Sequence, residues 1–389
     1  MMKCFPNIIY FFCDELRADA LNCYNPGRGL QTPNIDFIAE RGIRYDSCYC
    51  NSPVCVPSRA SILTGLYPKD MGVYHNEAAY PPFKLHEQYE TIPSILRRYG
   101  YKTASFGKIH LPNGMFSFEF INEEGSEMHM GLNLKMDLAI KILPRGGFRS
   151  ILGSTYPPDR EYYPGRVTRN ALDYMKNQKK PYFIRISYLQ PHTPIIVPKP
   201  FDTLYENIFF DSTIKVSDGL SRFEKRFAEI VDAGTLTPDE IRMIKVYYYG
   251  LVAWIDSQVG YILDYLKSGG EIEDTVIIIG ADHGALRGEN GGLGKQTFHY
   301  TAHRFPLIIY YPPKIPMGRV EDKICENLDL GPTLFHLLNI ETPSQFKGMN
   351  LLQKLEDHEV YAEIGFGEKT SYAFPNKRYG RYYGDRGWP

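Results

Sequence analysis

The sequence predicts an α/β fold with a mostly parallel central sheet and helices on both faces. Three observations predict it. Short, near-continuous apolar runs recur along the chain, as expected of strands buried on both faces. Capped helical segments alternate with these runs, which is how parallel strands are connected. Acids, histidines and lysines sit just past the ends of the apolar runs, where open α/β sheets collect functional groups.

Asn7–Cys13 is the first buried strand. Thr32 caps a helix that has Pro33 in its first turn, runs to Arg41 and stops at Gly42. Thr91–Tyr99 has the same layout, with Pro93 early and Gly100 as the stop, and Tyr101–Phe106 returns as a strand. Tyr182–Tyr188 is a strand closed by Gln190-Pro191. A long helical period spans Pro238–Lys267 between Thr237 and Gly269-Gly270. Thr275–Gly280 and Phe305–Tyr311 are further strands, Asp329–Leu338 is a short helix, and Val360–Ile364 is a late strand. Residues 112–160 are glycine-rich and irregular, which predicts a long surface excursion. Past these strand ends lie Asp14 and Glu15, Lys108 and His110, His192, and Asp282 with His283, so one convergent site is expected.

Composition narrows the function classes. The chain has 389 residues, is 43% hydrophobic and 23% charged, and carries a formal net charge of -1, which is ordinary for a globular protein. That balance gives no basis for a nucleic-acid surface or a polybasic membrane patch. No apolar run reaches the roughly 18 residues of a membrane-spanning helix. Ile8–Cys13 is preceded by a single Lys and lacks a small-residue cleavage site, so it reads as a strand rather than a signal peptide, and a cytoplasmic location is expected. The seven cysteines have no framework spacing, and Cys48, Cys50 and Cys55 lack the paired knuckle of a structural zinc site.

The most informative stretch is Cys55-Val56-Pro57-Ser58-Arg59, followed by Ala60-Ser61-Ile62-Leu63-Thr64-Gly65. It reads as a helix beginning at Pro57, with Cys55 at its N-terminus, where free N–H groups and the helix dipole favour an anion. Arg59 lies one helical turn on and on the same face. This stretch resembles the signature of the type I sulfatases of the alkaline-phosphatase-like superfamily, in which Cys-x-Pro-Ser-Arg is recognised and the cysteine is oxidised to formylglycine (3-oxoalanine). Five further segments resemble that family in its order: Pro33-Asn34-Ile35-Asp36, Gly107-Lys108-Ile109-His110-Leu111, Pro191-His192-Thr193-Pro194, Ala281-Asp282-His283-Gly284 with Gly294-Lys295, and Asp329-Leu330-Gly331-Pro332-Thr333.

The resemblance implies hydrolysis of sulfate monoesters. One hydroxyl of the hydrated formylglycine at position 55 attacks sulfur, and the second then expels sulfate. It implies one divalent metal ion at Asp14, Glu15, Cys55, Asp282 and His283. Hard carboxylate ligands suit Ca²⁺ or Mg²⁺, and the histidine also admits Mn²⁺ or Zn²⁺. It makes Arg59 the brace of the diol and the metal carboxylates, Lys108 and Lys295 clamps on the sulfate, His110 the base and His192 the donor toward the leaving oxygen. Its partners are a sulfate-ester small molecule or carbohydrate, and a formylglycine-generating or anaerobic sulfatase-maturing enzyme.

The chain departs from the family at Glu15, where Asp or Gln is usual, and at Tyr300, where Glu is frequent near His303. His75, His86, His129, His299, His336 and His358 read as structural. Residues 1–347 are expected to form the catalytic domain and 348–389 a shortened C-terminal subdomain. The nearest rival reading is a phosphonate monoester or phosphodiester hydrolase on the same scaffold. The rival from another class is a binding protein whose Cys55 is never oxidised.

Overall fold

The computed structural model describes residues 5–85, 88–115, 117–126, 142–145, 148–158, 160–212, 225–227, 229, 236–353, 359–366 and 378–383. Much of the 112–160 excursion, together with His86, His129 and His358, lies outside the described residues. Along the chain run β1 (Asn7–Asp14), α1 (Pro33–Arg41), β2 (Ile43–Tyr49), α2 (Cys55–Thr64), α3 (Ile92–Arg98), β3 (Lys102–Gly107) and β4 (Phe120–Asn122). They are followed by α4 (Gly165–Asn177), β5 (Tyr182–Pro191), α5 (Pro238–Ser268), β6 (Thr275–Ala281), β7 (Leu307–Tyr310), β8 (Arg319–Glu326) and α6 (Leu330–Leu338). A last antiparallel pair, β9 (Val360–Gly365) and β10 (Arg378–Tyr383), completes the described elements used below.

Eight strands form one sheet in the order β8-β2-β7-β6-β1-β5-β3-β4. Only β7 runs against its neighbours, pairing antiparallel with both β6 and β2. Every residue of β1, β5 and β6 is buried, which explains why these strands read as continuous apolar runs rather than alternating ones. The helices pack in two groups over the sheet, α1, α4 and α5 in one and α2, α3 and α6 in the other. The four adjacent strands β6, β1, β5 and β3 deliver the predicted functional segments side by side at their carboxyl ends.

Several boundaries differ from expectation for identifiable reasons. Helix α2 begins at Cys55, two residues before Pro57, with Val54 in the extended N-cap position. Thr32 precedes α1 but makes no side-chain cap, because its hydroxyl bonds Asn22 N (2.9 Å) and Asp36 Oδ1 (3.1 Å). The strand expected over Phe305–Tyr311 shortens to Leu307–Tyr310 and is the antiparallel one. A 3₁₀ turn over Asn327–Asp329 takes the first residue of the helix expected from Asp329. Strands β2 and β8 and helix α4 have mixed polar sequences and were not anticipated.

Helix α5, capped by the reciprocal Thr237–Glu240 box, is the long strut of the core. Its buried Asp256 accepts from Asn34 N (3.2 Å), Ile35 N (2.8 Å) and Asn34 Nδ2 (2.9 Å), so a side chain of α5 satisfies the N-terminus of α1. In the tail, Glu363 N bonds Asn51 O (2.8 Å) and Gly365 N bonds Tyr74 O (3.1 Å), which ties β9 to the loops around α2. No helix among the described residues is long and apolar enough to cross a membrane. Asp256→Ala should lower the unfolding free energy by about 3 kcal/mol, because it orphans buried helix-end donors. Urea unfolding with an unchanged m-value would register that loss.

Candidate active site

Asp14 ends β1 and Asp282 follows β6, its parallel neighbour, so the pairing of Cys13 with Ala281 brings the two carboxylates together. Both are fully buried. Arg59, also fully buried, lies between them: Nη2 reaches Asp14 Oδ2 (3.0 Å) and Nε reaches Asp282 Oδ2 (2.9 Å). Its Nη1 donates to Lys108 O (3.0 Å) and Ser187 Oγ (3.2 Å), and its guanidinium lies 4.7 Å from the Phe12 ring centroid. A planar donor fork suits this task, since one side chain must engage two carboxylates and a carbonyl at fixed angles.

Cys55 occupies the first turn of α2, and its neighbours are charged. Lys295 Nζ is 2.6 Å from the Cys55 sulfur, Lys108 Nζ is 3.9 Å away, and Asp14 Oδ1 is 3.6 Å away. Lys108 also forms an ion pair with Asp14. Burial and Asp14 push the Cys55 thiol up, but Lys108 and Lys295 outweigh them and hold it well below the usual thiol range. Burial likewise opposes ionisation of Asp14, and the same two lysines hold it well below the usual carboxylate range. Lys295 runs the other way: burial disfavours its charge, yet Cys55 and Asp14 raise it.

The donors fit a divalent cation. Ligand atoms of Asp14, Cys55, Asp282 and His283 all lie within 4.8 Å of one another and are buried. The His283 ring is oriented by Nδ1 against Gly284 O (2.9 Å), and its buried Nε2 has no hydrogen-bond partner. An imidazole nitrogen held bare beside two carboxylates is the donor set expected of a hard or borderline metal. Glu15 stands apart from these four. Arg287 Nη2 holds its Oε2 at 2.8 Å, and its Oε1 lies 3.3 Å from Lys295 Nζ and 3.5 Å from His192 Nε2. Asp14, Glu15 and His192 form a second group of close donors.

The predicted histidines separate by environment. His192 is buried at the end of β5, with Nδ1 against the Thr193 carbonyl. Burial pushes its pKa down to about 4, against the pull of Glu15. His110 has a left-handed backbone (φ 44°) and a buried Nδ1 without a partner. Burial and the charges of Lys108 and Arg59 push it well below the usual imidazole range. His303 lies in the core, stacked on Phe298 at 5.6 Å between ring centroids, with Nδ1 against Cys50 O (3.1 Å). Neither Cys48 nor Cys50 joins a group of metal donors among the described residues.

Sequence reasoning missed Arg287, Ser58, Ser187 and Asn327. Ser58 Oγ bonds Asp282 O (2.6 Å) and Ser187 Oγ bonds Lys108 O (2.7 Å), so each hydroxyl fixes the backbone of a site residue. Asn327 clamps Ser58 and the Asn51 loop ahead of α2. Ser58 was visible as part of the Cys55 motif, but Arg287 had no signal beyond its position four residues after His283.

Residues 6–340 match the sequence profile of the family described as Sulfatase. The chain belongs to the sulfatase family. As a sulfatase it is a sulfuric ester hydrolase. It is 24% identical to an arylsulfatase of Clostridium perfringens, over 96% of this chain and 84% of that protein. It is 25% identical to an N-acetylglucosamine-6-O-sulfatase of Bacteroides thetaiotaomicron, over 90% of this chain and 71% of that protein. Its fold is similar to that of a protein solved with its substrate D-glucosamine-2-N,6-O-disulfate (TM-score 0.72, 23% identity, 98% and 87% of the two chains). It is also similar to a phosphonate monoester hydrolase of Agrobacterium radiobacter (TM-score 0.76, 21% identity, 93% and 80%).

Replacing Arg59 tests how far this sulfatase's site is also its scaffold. Arg59→Met leaves two buried carboxylates without their shared cation and should lower the unfolding free energy by about 4 kcal/mol. Denaturant titration at neutral pH reads that value.

Proposed function

We propose that this sulfatase removes sulfate from carbohydrate sulfate monoesters, using formylglycine at position 55 and one divalent cation, Ca²⁺ foremost. The observation that carries the reading is Cys55 at a helix N-terminus with Lys295 Nζ at 2.6 Å, beside the carboxylates of Asp14 and Asp282. Such a pocket accepts a reacting atom and an anion together. A plain thiolate there would attack sulfur but has no second oxygen with which to release the product. Once oxidised to the aldehyde and hydrated, the residue would supply a geminal diol, one hydroxyl to displace the alcohol from sulfur and the other to expel sulfate and restore the aldehyde. The cation, when bound by Asp14, Asp282 and His283, supplies charge neutralisation at the oxygens around sulfur.

The remaining roles belong to the side chains. Lys108 and Lys295 flank position 55 and bind the peripheral sulfate oxygens, where negative charge is spread. Arg59 keeps Asp14 and Asp282 apart and aimed. The Thr193 carbonyl fixes the His192 ring, which leaves Nε2 to face the leaving oxygen. His110 has an unpartnered Nδ1 in the positive field of Lys108 and serves as the base that recovers the diol proton. The sulfated-carbohydrate class is supported by the relative named for N-acetylglucosamine 6-O-sulfate chemistry.

Peptide mass, ester kinetics and metal removal test the reading. Protein co-expressed with a formylglycine-generating enzyme should lose about 18 Da at the peptide carrying Cys55, the change that thiol-to-aldehyde oxidation requires. That protein should turn over 4-nitrophenyl sulfate faster than an aryl phosphonate ester, and Cys55→Ala should be slower by about a thousandfold or more. Preference for the phosphonate would move the chain to the rival reaction. Chelation should abolish turnover, and Ca²⁺ at about 100 times its Kd should restore it and add ~2.7 kcal/mol of unfolding free energy.

A further inference from the structure

We propose that Glu15 is a positioning residue: clamped by Arg287, its carboxylate orients His192 and Lys295 toward the ester and takes no place on the metal ion. The proposal rests on the sulfatase reading of the site, and it departs from the expectation that Glu15 ligates.

The geometry divides the acidic groups. Asp14, Asp282, His283 and position 55 form one close donor set, whereas Glu15 groups with Asp14 and His192 in a second, three-residue set that includes neither Asp282 nor His283. Glu15 has a left-handed backbone (φ 63°), which is uncommon for a residue with a side chain. That conformation is pinned from both sides. Its N–H donates to Asp282 Oδ1 (3.2 Å), and its carbonyl accepts from Tyr248 OH (2.7 Å). Tyr248 in turn accepts from Arg17 N (3.0 Å), so helix α5 fixes the turn after β1.

Arg287 holds the side chain. Its Nη2 bonds Glu15 Oε2 at 2.8 Å, its Nη1 bonds Leu286 O at 2.9 Å, and its guanidinium lies 4.6 Å from the Tyr248 ring centroid. Arg287 is buried and cannot follow Glu15 toward a cation without breaking these contacts. A charge-assisted bond of this kind is among the stronger side-chain contacts, and here it fixes which oxygen of Glu15 is occupied. The other oxygen, Oε1, is buried, accepts no hydrogen bond, and points at Lys295 Nζ (3.3 Å) and His192 Nε2 (3.5 Å). The longer Glu side chain and the arginine that fixes it thus act together. The carboxylate therefore contacts the two groups that meet the ester, with one oxygen held by Arg287 and the other facing Lys295 and His192.

A residue acting through His192 matters most when the leaving oxygen is basic. The experiment uses mature, formylglycine-containing protein stripped of metal, in wild-type, Glu15→Gln, Arg287→Met and double-variant forms. Calorimetry with Ca²⁺ reads metal binding, and kcat and KM are measured on 4-nitrophenyl sulfate and on a hexose 6-sulfate. Glu15→Gln should bind one Ca²⁺ with affinity within about threefold of wild type, well short of the losses that follow disruption of a metal's own ligand shell. Its kcat on the sugar sulfate should fall about 100-fold, in the range of a misplaced acid–base group, with a smaller fall on the aryl ester and KM little changed. Arg287→Met should reproduce that pattern, and the double variant should be no slower than the slower single variant.

Loss of Ca²⁺ affinity by about 100-fold in Glu15→Gln would overturn the proposal. So would equal slowing of both esters, or wild-type kcat in folded Arg287→Met. If Arg287→Met fails to fold, the near-isosteric Glu15→Gln decides alone. If wild-type protein carrying formylglycine and Ca²⁺ cleaves no sulfate ester, the sulfatase reading falls, and the calorimetry still decides whether Glu15 is a ligand.

Discussion

Two carboxylates at the ends of adjacent buried strands repel each other unless a cation stands between them, and Arg59 is that cation. Asp14 and Asp282 both have no solvent exposure, so neither can relieve its charge in water. Arg59 answers both at once, and because it belongs to α2 it brings Cys55 with it, one turn earlier in the same helix. The placement of Cys55 is therefore a consequence of charge balance at the carboxyl ends of two central strands. Ser58, Ser187 and Asn327 refine it by holding backbone carbonyls and loops.

The positive groups are graded by position. Arg59 sits between the two acids and is wholly internal, while Lys108 and Lys295 flank the sulfur and are only slightly exposed. This arrangement separates the wholly internal charge from the two that face Cys55. It also explains why the Cys55 thiol is held low despite complete burial: two lysines face it, whereas its nearest carboxylate is already shared among Arg59 and both lysines. Glu15 belongs to a third layer, bound to Arg287 and grouped with Asp14 and His192 rather than with Asp282 and His283.

Most of the central sheet was legible because its inner strands are buried on both faces and so carry unbroken apolar runs. The site was legible because its residues follow those strands directly: Asp14 after β1, Lys108 after β3, His192 after β5 and Asp282 after β6. Strands β2 and β8 were hidden by their alternating polar sequences at one edge of the sheet. The reversed direction of β7 has no local signature, since pairing direction is set by connections rather than composition. Thr32 resembled a helix cap in sequence, but a hydroxyl with Asp36 and Asn22 in reach bonds those instead. Arg287 was illegible for a different reason: its partner Glu15 is 272 residues away, and no spacing rule connects them. The family resemblance implies ligation by Glu15, and the long-range ion pair with Arg287 is the observation behind the proposal that this side chain acts elsewhere.

The central claim is that the buried charges form one cation pocket of defined membership beside position 55. Anomalous diffraction from Mn²⁺-soaked crystals of the mature protein tests it most directly. The account predicts one anomalous peak bounded by Asp14, Asp282 and His283 and adjoining position 55, with Glu15 still on Arg287. A peak elsewhere, or Glu15 swung off Arg287 into the coordination shell, would contradict it.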